Sequence, residues 1–358
     1  MNLRRQLGLI ILVSTSLLPV AAQAQGPGQK NVEVDDDGTV HLPAQAVPVS
    51  SLLSPEAKAY VARRLKDLQN PQMLADNGVP RYLNGYIERQ KVLYPVDRED
   101  TKIAGVHAYV YTPQAGIPAA NRSRLLINLH GGGFSGCWPA CAELESIPIA
   151  SLGKIRVISL DYREGPEYKF PAASEDVAAV YQELLKHYMP QDIGIYGCSA
   201  GGLLTGMSVA WFEKHNLPRP GAIGIFCAGA VPPEAGVDDD SAYLAEPLGA
   251  GRVLLLPHRW PRSAYLADAD LRDPLVAPIN SPEILAKFPP TLFITATRGV
   301  EFSQAVYAHT QLVKLGVDAE LHVWEGLFHA FFYNPDVPES RDCYDVIVKF
   351  FERHLGKK

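Results

Sequence analysis

The stretch Gly197-Cys198-Ser199-Ala200-Gly201 constrains this chain more than any other. It has the form Gly-x-Ser-x-Gly, and a turn of that kind needs a strand before it and a helix after it. Ile193-Gly194-Ile195-Tyr196 precedes it as an apolar strand, and Gly202-Leu203-Leu204 continues it as a small-residue helix start. A serine hydroxyl is a poor nucleophile until a sharp turn presents it beside a base and beside backbone N–H donors. Glycine flanks such a serine because a Cβ at either side would clash in a tight, strained turn. Cys198, at the variable position, reads as a small buried hydrophobe rather than a second nucleophile.

The rest of the chain offers the setting that this turn needs. Apolar runs at 106–111, 125–129, 157–160, 193–196, 222–226, 291–296 and 320–324 read as strands. Helical spacing appears over 171–187, 303–315 and 346–355. An earlier helix opens with Ser54 as N-cap and Pro55 in its first turn, and carries Ala57, Val61, Leu65 and Leu68 on one face. Strands alternating with helices predict an α/β fold with a mostly parallel, doubly wound sheet. Ligands then bind at the carboxyl ends of the strands. The serine turn, His130 and the segment after Ala296 all fall at such ends. The long insert between Phe226 and Thr291 carries Val253-Leu254-Leu255-Leu256, Trp260, Tyr265 and Leu266, and is expected to cap the site.

The 358 residues allow one large domain, and a charge of -6 without Lys/Arg clusters argues against a nucleic-acid partner. Residues 1–24 have the order of a secretory signal peptide: Arg4 and Arg5, an apolar run from Leu7 to Val20, then Ala22-Gln23-Ala24. Ser14, Thr15, Ser16 and Pro19 interrupt that run, which argues for cleavage rather than a membrane anchor. The expectation is an exported chain, periplasmic or secreted, whose mature part 25–358 is a single domain led by a tail that reaches about residue 48. Cys137 and Cys141 lie four apart, with Pro139 between them making a regular helix doubtful. Two buried free thiols are expected there, a disulfide being the alternative. No Cys/His cluster has zinc-ligand spacing, so no metal is expected.

His130-Gly131-Gly132-Gly133 follows a buried strand. Three glycines leave backbone N–H groups uncovered, free to approach an anion such as the oxygen of a tetrahedral intermediate. Gly131, Gly132, Gly133 and Ala200 are therefore the expected oxyanion donors, with His130 ordering the loop. An ordinary glycine turn is the plain alternative. Glu143 and Glu145 follow closely and are expected on a solvated helix face; otherwise one of them faces the site and selects a polar or amine-bearing substrate.

His130-Gly131-Gly132-Gly133-Phe134, then Asp161-Tyr162-Arg163, Phe170-Pro171-Ala172-Ala173, Glu175-Asp176, the serine turn and Asp273-Pro274-Leu275-Val276 together resemble the hormone-sensitive-lipase branch of the α/β-hydrolases. The resemblance runs from about Val106 to the C-terminus. It implies an α/β-hydrolase fold with cap elements from about 50–95 and 235–285. It implies cofactor-free hydrolysis of short- to medium-chain carboxylic esters, with Ser199 as nucleophile. Of ten histidines, His329 in Gly326-Leu327-Phe328-His329-Ala330-Phe331 matches the family's base loop.

The acid is where the chain departs from that pattern. The family carries Asp after Thr-Arg following the strand at 291–296, and here Thr297-Arg298 is followed by Gly299. Glu301, one methylene longer, either supports His329 or simply favours the next helix's dipole. Glu234 and Asp238-Asp239-Asp240 form a third option, or a solvated loop. Two functions stay open: an ester hydrolase, or a weak or silent relative that binds a hydrophobic ligand, as Gly299 suggests. An amidase on the same scaffold is the other chemistry to separate.

Overall fold

The structure, a computed structural model, describes residues 32–69, 81–232, 235, 239–250 and 262–356. The expected leader, Val253 to Leu256, Trp260, Glu234 and Asp238 lie outside the described residues. The described residues 32–47 belong to a unit of their own, in which β1 (Glu33–Val34) pairs antiparallel with β2 (Val40–His41).

From Pro48 the chain runs α1 (Pro55–Asp67), α2 (Tyr82–Leu93), β3 (Val96–Ile103), β4 (Val106–Pro113), β5 (Leu125–Leu129), α3 (Ala140–Gly153) and β6 (Arg156–Leu160). It continues with α4 (Ala172–Leu184), β7 (Ile193–Cys198), α5 (Ala200–Lys214), β8 (Ala222–Phe226), α6 (Asp240–Ala250), α7 (Pro282–Leu285), β9 (Thr291–Arg298), α8 (Phe302–Lys314), β10 (Ala319–Phe328) and α9 (Pro338–His354). Strands β3 to β10 make one sheet in the order β10-β9-β8-β7-β5-β6-β4-β3, parallel from β10 to β6 and antiparallel at β4 and β3. The doubly wound architecture expected from the alternation is what forms.

Every residue of β5, β7 and β8 is buried, as strands covered on both faces must be. Alternate side chains feed two cores. Leu126, Tyr196 and Cys198 join Ile147, Ile347 and Phe351 of α3 and α9 on one face. Leu125, Ile127, Leu129 and Ile195 join Val177, Leu204 and Leu312 of α4, α5 and α8 on the other. Burying side chains such as Ile147 or Phe351 contributes about 1.5–3 kcal/mol each. Strand β3 has no apolar stripe to reveal it. Its sequence VDREDTKI is exposed or half-buried throughout because it is the sheet's edge.

The chain leaves β5 toward β6 on one side and returns to β7 on the other. The strand order reverses between β5 and β7, and a crevice opens at their carboxyl ends. The glycine loop follows β5 and the serine turn follows β7, so the topology alone brings them together.

Helix α1 forms as its caps indicate. Ser54 Oγ accepts the Ala57 N–H at 3.1 Å, and the Ser54 N–H and hydroxyl donate to Glu339 at 2.8 and 2.9 Å, tying α1 to α9. The expected free thiols at Cys137 and Cys141 are corrected: the two form a disulfide, with Cα atoms 5.4 Å apart. Helix α3 starts only at Ala140, so Cys137 lies in the turn before it and its side chain can reach back to Cys141. The bridge pins the approach to a helix that carries buried charge. Closing so short a loop is worth about 2 kcal/mol. Reductant should therefore lower the melting temperature by roughly 4 °C. A Cys137→Ser/Cys141→Ser variant should melt like the reduced protein and ignore reductant; equal melting with and without reductant would reject this.

Candidate active site

Ser199 holds a backbone that side-chain-bearing residues avoid, φ 59° and ψ −121°. Its N–H donates to Phe226 O at 2.8 Å, and its carbonyl receives the Leu203 N–H at 3.0 Å to start α5. The turn lies hard against the end of β5. A Cβ on Gly201 would sit 1.7 Å from Leu129 O, and one on Gly197 2.2 Å from the same atom. Both glycines are required by that approach. The N-terminus of α5, with Ala200 first, points unpaired N–H groups and the positive end of the helix dipole at this place.

The glycine loop enters from β5. Gly132 has φ +132°, and a Cβ there would lie 1.9 Å from Gly136 O. His130 is buried and stacks on Tyr162 with ring centroids 4.5 Å apart. The Tyr162 hydroxyl donates to His130 O at 2.6 Å, and His130 Nδ1 lies 2.7 Å from Gly131 O. A carbonyl only accepts, so Nδ1 carries the proton. Burial holds the His130 pKa below its ordinary value, and among the described residues its Nε2 has no partner. His130 thus orders the loop as a neutral ring. Gly131 departs from expectation: its N–H donates to Glu145 Oε1 at 2.9 Å and is not free for an oxyanion. Gly133 and Ala200 line the cavity beside Ser199 and His329.

His329 follows β10, half-buried. Its Nδ1 lies 2.9 Å from Glu301 Oε2, and the Thr295 hydroxyl donates to Glu301 Oε1 at 3.1 Å. Glu301 occupies the N-cap position of α8 without capping it by its side chain. The space it uses is the space Gly299 leaves, since a Cβ at Gly299 would fall 2.5 Å from Glu301 Oε1. Burial works against the Glu301 charge, but the imidazole's charge and hydrogen bond outweigh it and hold the carboxyl below its usual value. Burial likewise works against the His329 imidazolium, and Glu301's charge and hydrogen bond raise that pKa to about 9. Asp239, from the third option, instead accepts from Ser241 Oγ and Ala242 N at the start of α6.

Cys227 Sγ accepts the Ala330 N–H at 3.3 Å, and its sulfur, a Glu301 oxygen and a His329 nitrogen lie within 4.8 Å of one another. These three are the one candidate metal-ligand group among the described residues. Glu301 and His329 Nδ1 already satisfy each other, so the arrangement reads as a base held by its acid.

Glu143 and Glu145 are both buried, which corrects the solvated face expected for them. Glu143 pairs with Arg98 at 2.6 Å and Lys91 at 3.4 Å. Glu145 accepts from four donors: Tyr333 Oη at 2.6 Å and Gly131 N at 2.9 Å on Oε1, Asn128 Nδ2 at 2.9 Å and Cys198 N at 3.3 Å on Oε2. Burial pushes its pKa up to about 7, against the pull of these donors. All four hydrogen bonds run toward the carboxylate oxygens, so the arrangement accommodates the ion. The signal in the sequence was a pair of acids, Glu143 and Glu145, inside the largely apolar run 140–150.

Ser199, Gly133, Ala200, Glu301 and His329 line one cavity of about 650 Å³, within the usual range for small-molecule sites. Its other walls are mainly apolar, among them Phe134, Leu203 and Val231. From the segments expected to cap it, the described contributors are Arg64, Leu68, Gly249, Ala250, Arg262 and Ser263. Tyr265, Leu266 and Val276 instead pack in the core, and α2 packs on α3.

Residues 126–333 match a family model described as the alpha/beta hydrolase fold. The chain is 29% identical over 245 residues to an acetyl-hydrolase of Streptomyces hygroscopicus, covering 67% of this chain and 79% of that one. The crystal structure of an esterase called E25 superposes with a TM-score of 0.75 at 28% identity, over 88% of this chain and 98% of that one. An esterase of the bacterial hormone-sensitive lipase family superposes with a TM-score of 0.70 at 25% identity, over 85% and 99%.

Glu145→Gln must turn an amide NH2 toward two donors, which costs about 1–3 kcal/mol. With Gly131 and Cys198 no longer held, ester turnover should fall about 10²-fold in kcat with little change in KM. A variant with wild-type melting and kcat would show that Glu145 does not position the site.

Proposed function

The chain belongs to the α/β-hydrolase fold family, in its hormone-sensitive-lipase branch, and on that premise we propose that it is an exported serine carboxylesterase acting on short- to medium-chain esters. The observation that carries this reading is the Glu301–His329 pair at 2.9 Å beside Ser199 in one mainly apolar cavity. Glu301 occupies His329 Nδ1 and leaves Nε2 for the serine. Ser199 Oγ attacks the ester carbonyl, and His329 takes its proton. The oxyanion draws on the N–H groups of Ala200 and Gly133, each such donor worth about 2.7–4 kcal/mol. His329 then protonates the leaving alcohol, and water releases the acid from the acyl-enzyme. The silent, ligand-binding alternative rested on Gly299, and the Glu301 carboxylate beside it supports the active reading instead. The leader pattern at 1–24 and the Cys137–Cys141 disulfide both support export to an oxidising compartment.

A fluorophosphonate probe should label Ser199, and p-nitrophenyl butyrate should turn over far faster than the matching anilide. Ser199→Ala should lose labelling and about 10⁶-fold in kcat. An unlabelled, inert wild-type protein would sink the proposal, and comparable amide turnover would make the enzyme an amidase.

Catalysis needs neutral His329, so kcat/KM should fall on the acid side as the imidazole protonates. Glu301 raises that pKa. Glu301→Gln removes the negative charge, so the limb should move to lower pH while the plateau drops by up to about 10⁴-fold. An unmoved limb would show that Glu301 is not the partner of the working base.

A further inference from the structure

Three arginines line the cavity, Arg64, Arg262 and Arg298, and among the described residues Arg64 and Arg298 are not ion-paired. Arg64 comes from α1, and its guanidinium lies 4.3 Å from the centroid of the Phe328 ring. It donates to the Tyr82 hydroxyl, while its Nε is buried and makes no hydrogen bond among the described residues. Arg298, from the end of β9, is more than nine-tenths buried. Its described partners are two carbonyls, Pro48 O at 2.9 Å and Leu248 O at 3.5 Å. Arg298 and Phe328 are paired across β9 and β10, and Phe328, whose ring carries the Arg64 guanidinium, immediately precedes His329. Among the described residues neither arginine forms an ion pair. Glu301 is committed to His329, and exposed Glu325, which accepts the Thr297 hydroxyl at 3.0 Å, favours the Arg298 charge only from a distance and through solvent.

Burying a guanidinium without a counter-ion is expensive, and such charge persists where a ligand balances it. Arginine also matches carboxylate geometry through its planar fork. We propose that Arg64 and Arg298 form an anion subsite, and that the preferred ester carries a carboxylate on an otherwise apolar acyl or alcohol part. This rests on the esterase reading above. The apolar walls receive the carbon chain, and the two guanidiniums receive its charged end.

The test compares charge-matched pairs of esters. On the acyl side these are p-nitrophenyl hydrogen glutarate and its methyl-capped, neutral analogue. On the alcohol side they are 4-butyryloxybenzoate and its methyl ester. At least one pair should show a tenfold or greater preference in kcat/KM for the anion, carried mainly by KM. Arg64→Gln should bring that ratio toward one, and Arg64→Lys should keep part of it. Arg298→Gln should reduce the ratio as well, with melting recorded because Arg298 also holds two carbonyls. Neutral esters turning over as well as the anionic ones in both pairs would overturn the subsite. No turnover of any ester, with no probe labelling, would instead overturn the esterase reading.

Discussion

The carboxylate of Glu145 is the contact on which the site depends. A buried carboxylate costs several kcal/mol unless donors replace its water. Here the donors come from β5, the loop after it, β7 and the turn that follows His329. Cys198 adjoins the nucleophile, Gly131 opens the oxyanion loop, and Tyr333 is four residues past the base. One pair of oxygen atoms therefore sets three segments in register with one another. The same contacts explain why the loop offers its later glycines to a substrate, since Gly131 is already used.

A second constraint is steric. The serine turn approaches Leu129 O so closely that Gly197 and Gly201 admit no Cβ, and the acid follows the same logic at Gly299. A side chain at position 299 would push the Glu301 carboxylate from its present place. Loss of one side chain and a longer reach from two residues later are a single arrangement, steadied by the Thr295 hydroxyl.

Much of this was legible in the residues, and what was not has physical reasons. The central strands announce themselves because both faces are buried and their runs are nearly all apolar. Strand β3 does not, since an edge strand facing water needs no apolar stripe. Ser199, His329 and His130 stand in local patterns that a turn or loop requires. Glu301 was one of three options because spacing cannot say which way a helix-start carboxylate turns. Glu145 looked like surface because its four donors lie up to 188 residues away in sequence. The Cys137–Cys141 bridge depended on where α3 begins, and Pro139 obscured that.

The charges of the cavity tie the base to the anion subsite. Glu301 favours the imidazolium that forms as Ser199 attacks, whereas the positive charge of Arg64 opposes it. The two effects meet at a ring that must be neutral before attack and charged during it. A substrate anion resting on Arg64 would cancel the opposing charge without touching Glu301. The imidazolium would then be best stabilised when an anionic ester occupies the cavity, and less so with water or a neutral ester there. On this view recognition and proton transfer share the same electrostatics, and Phe328, which carries Arg64 on its face and leads directly into His329, is where they join.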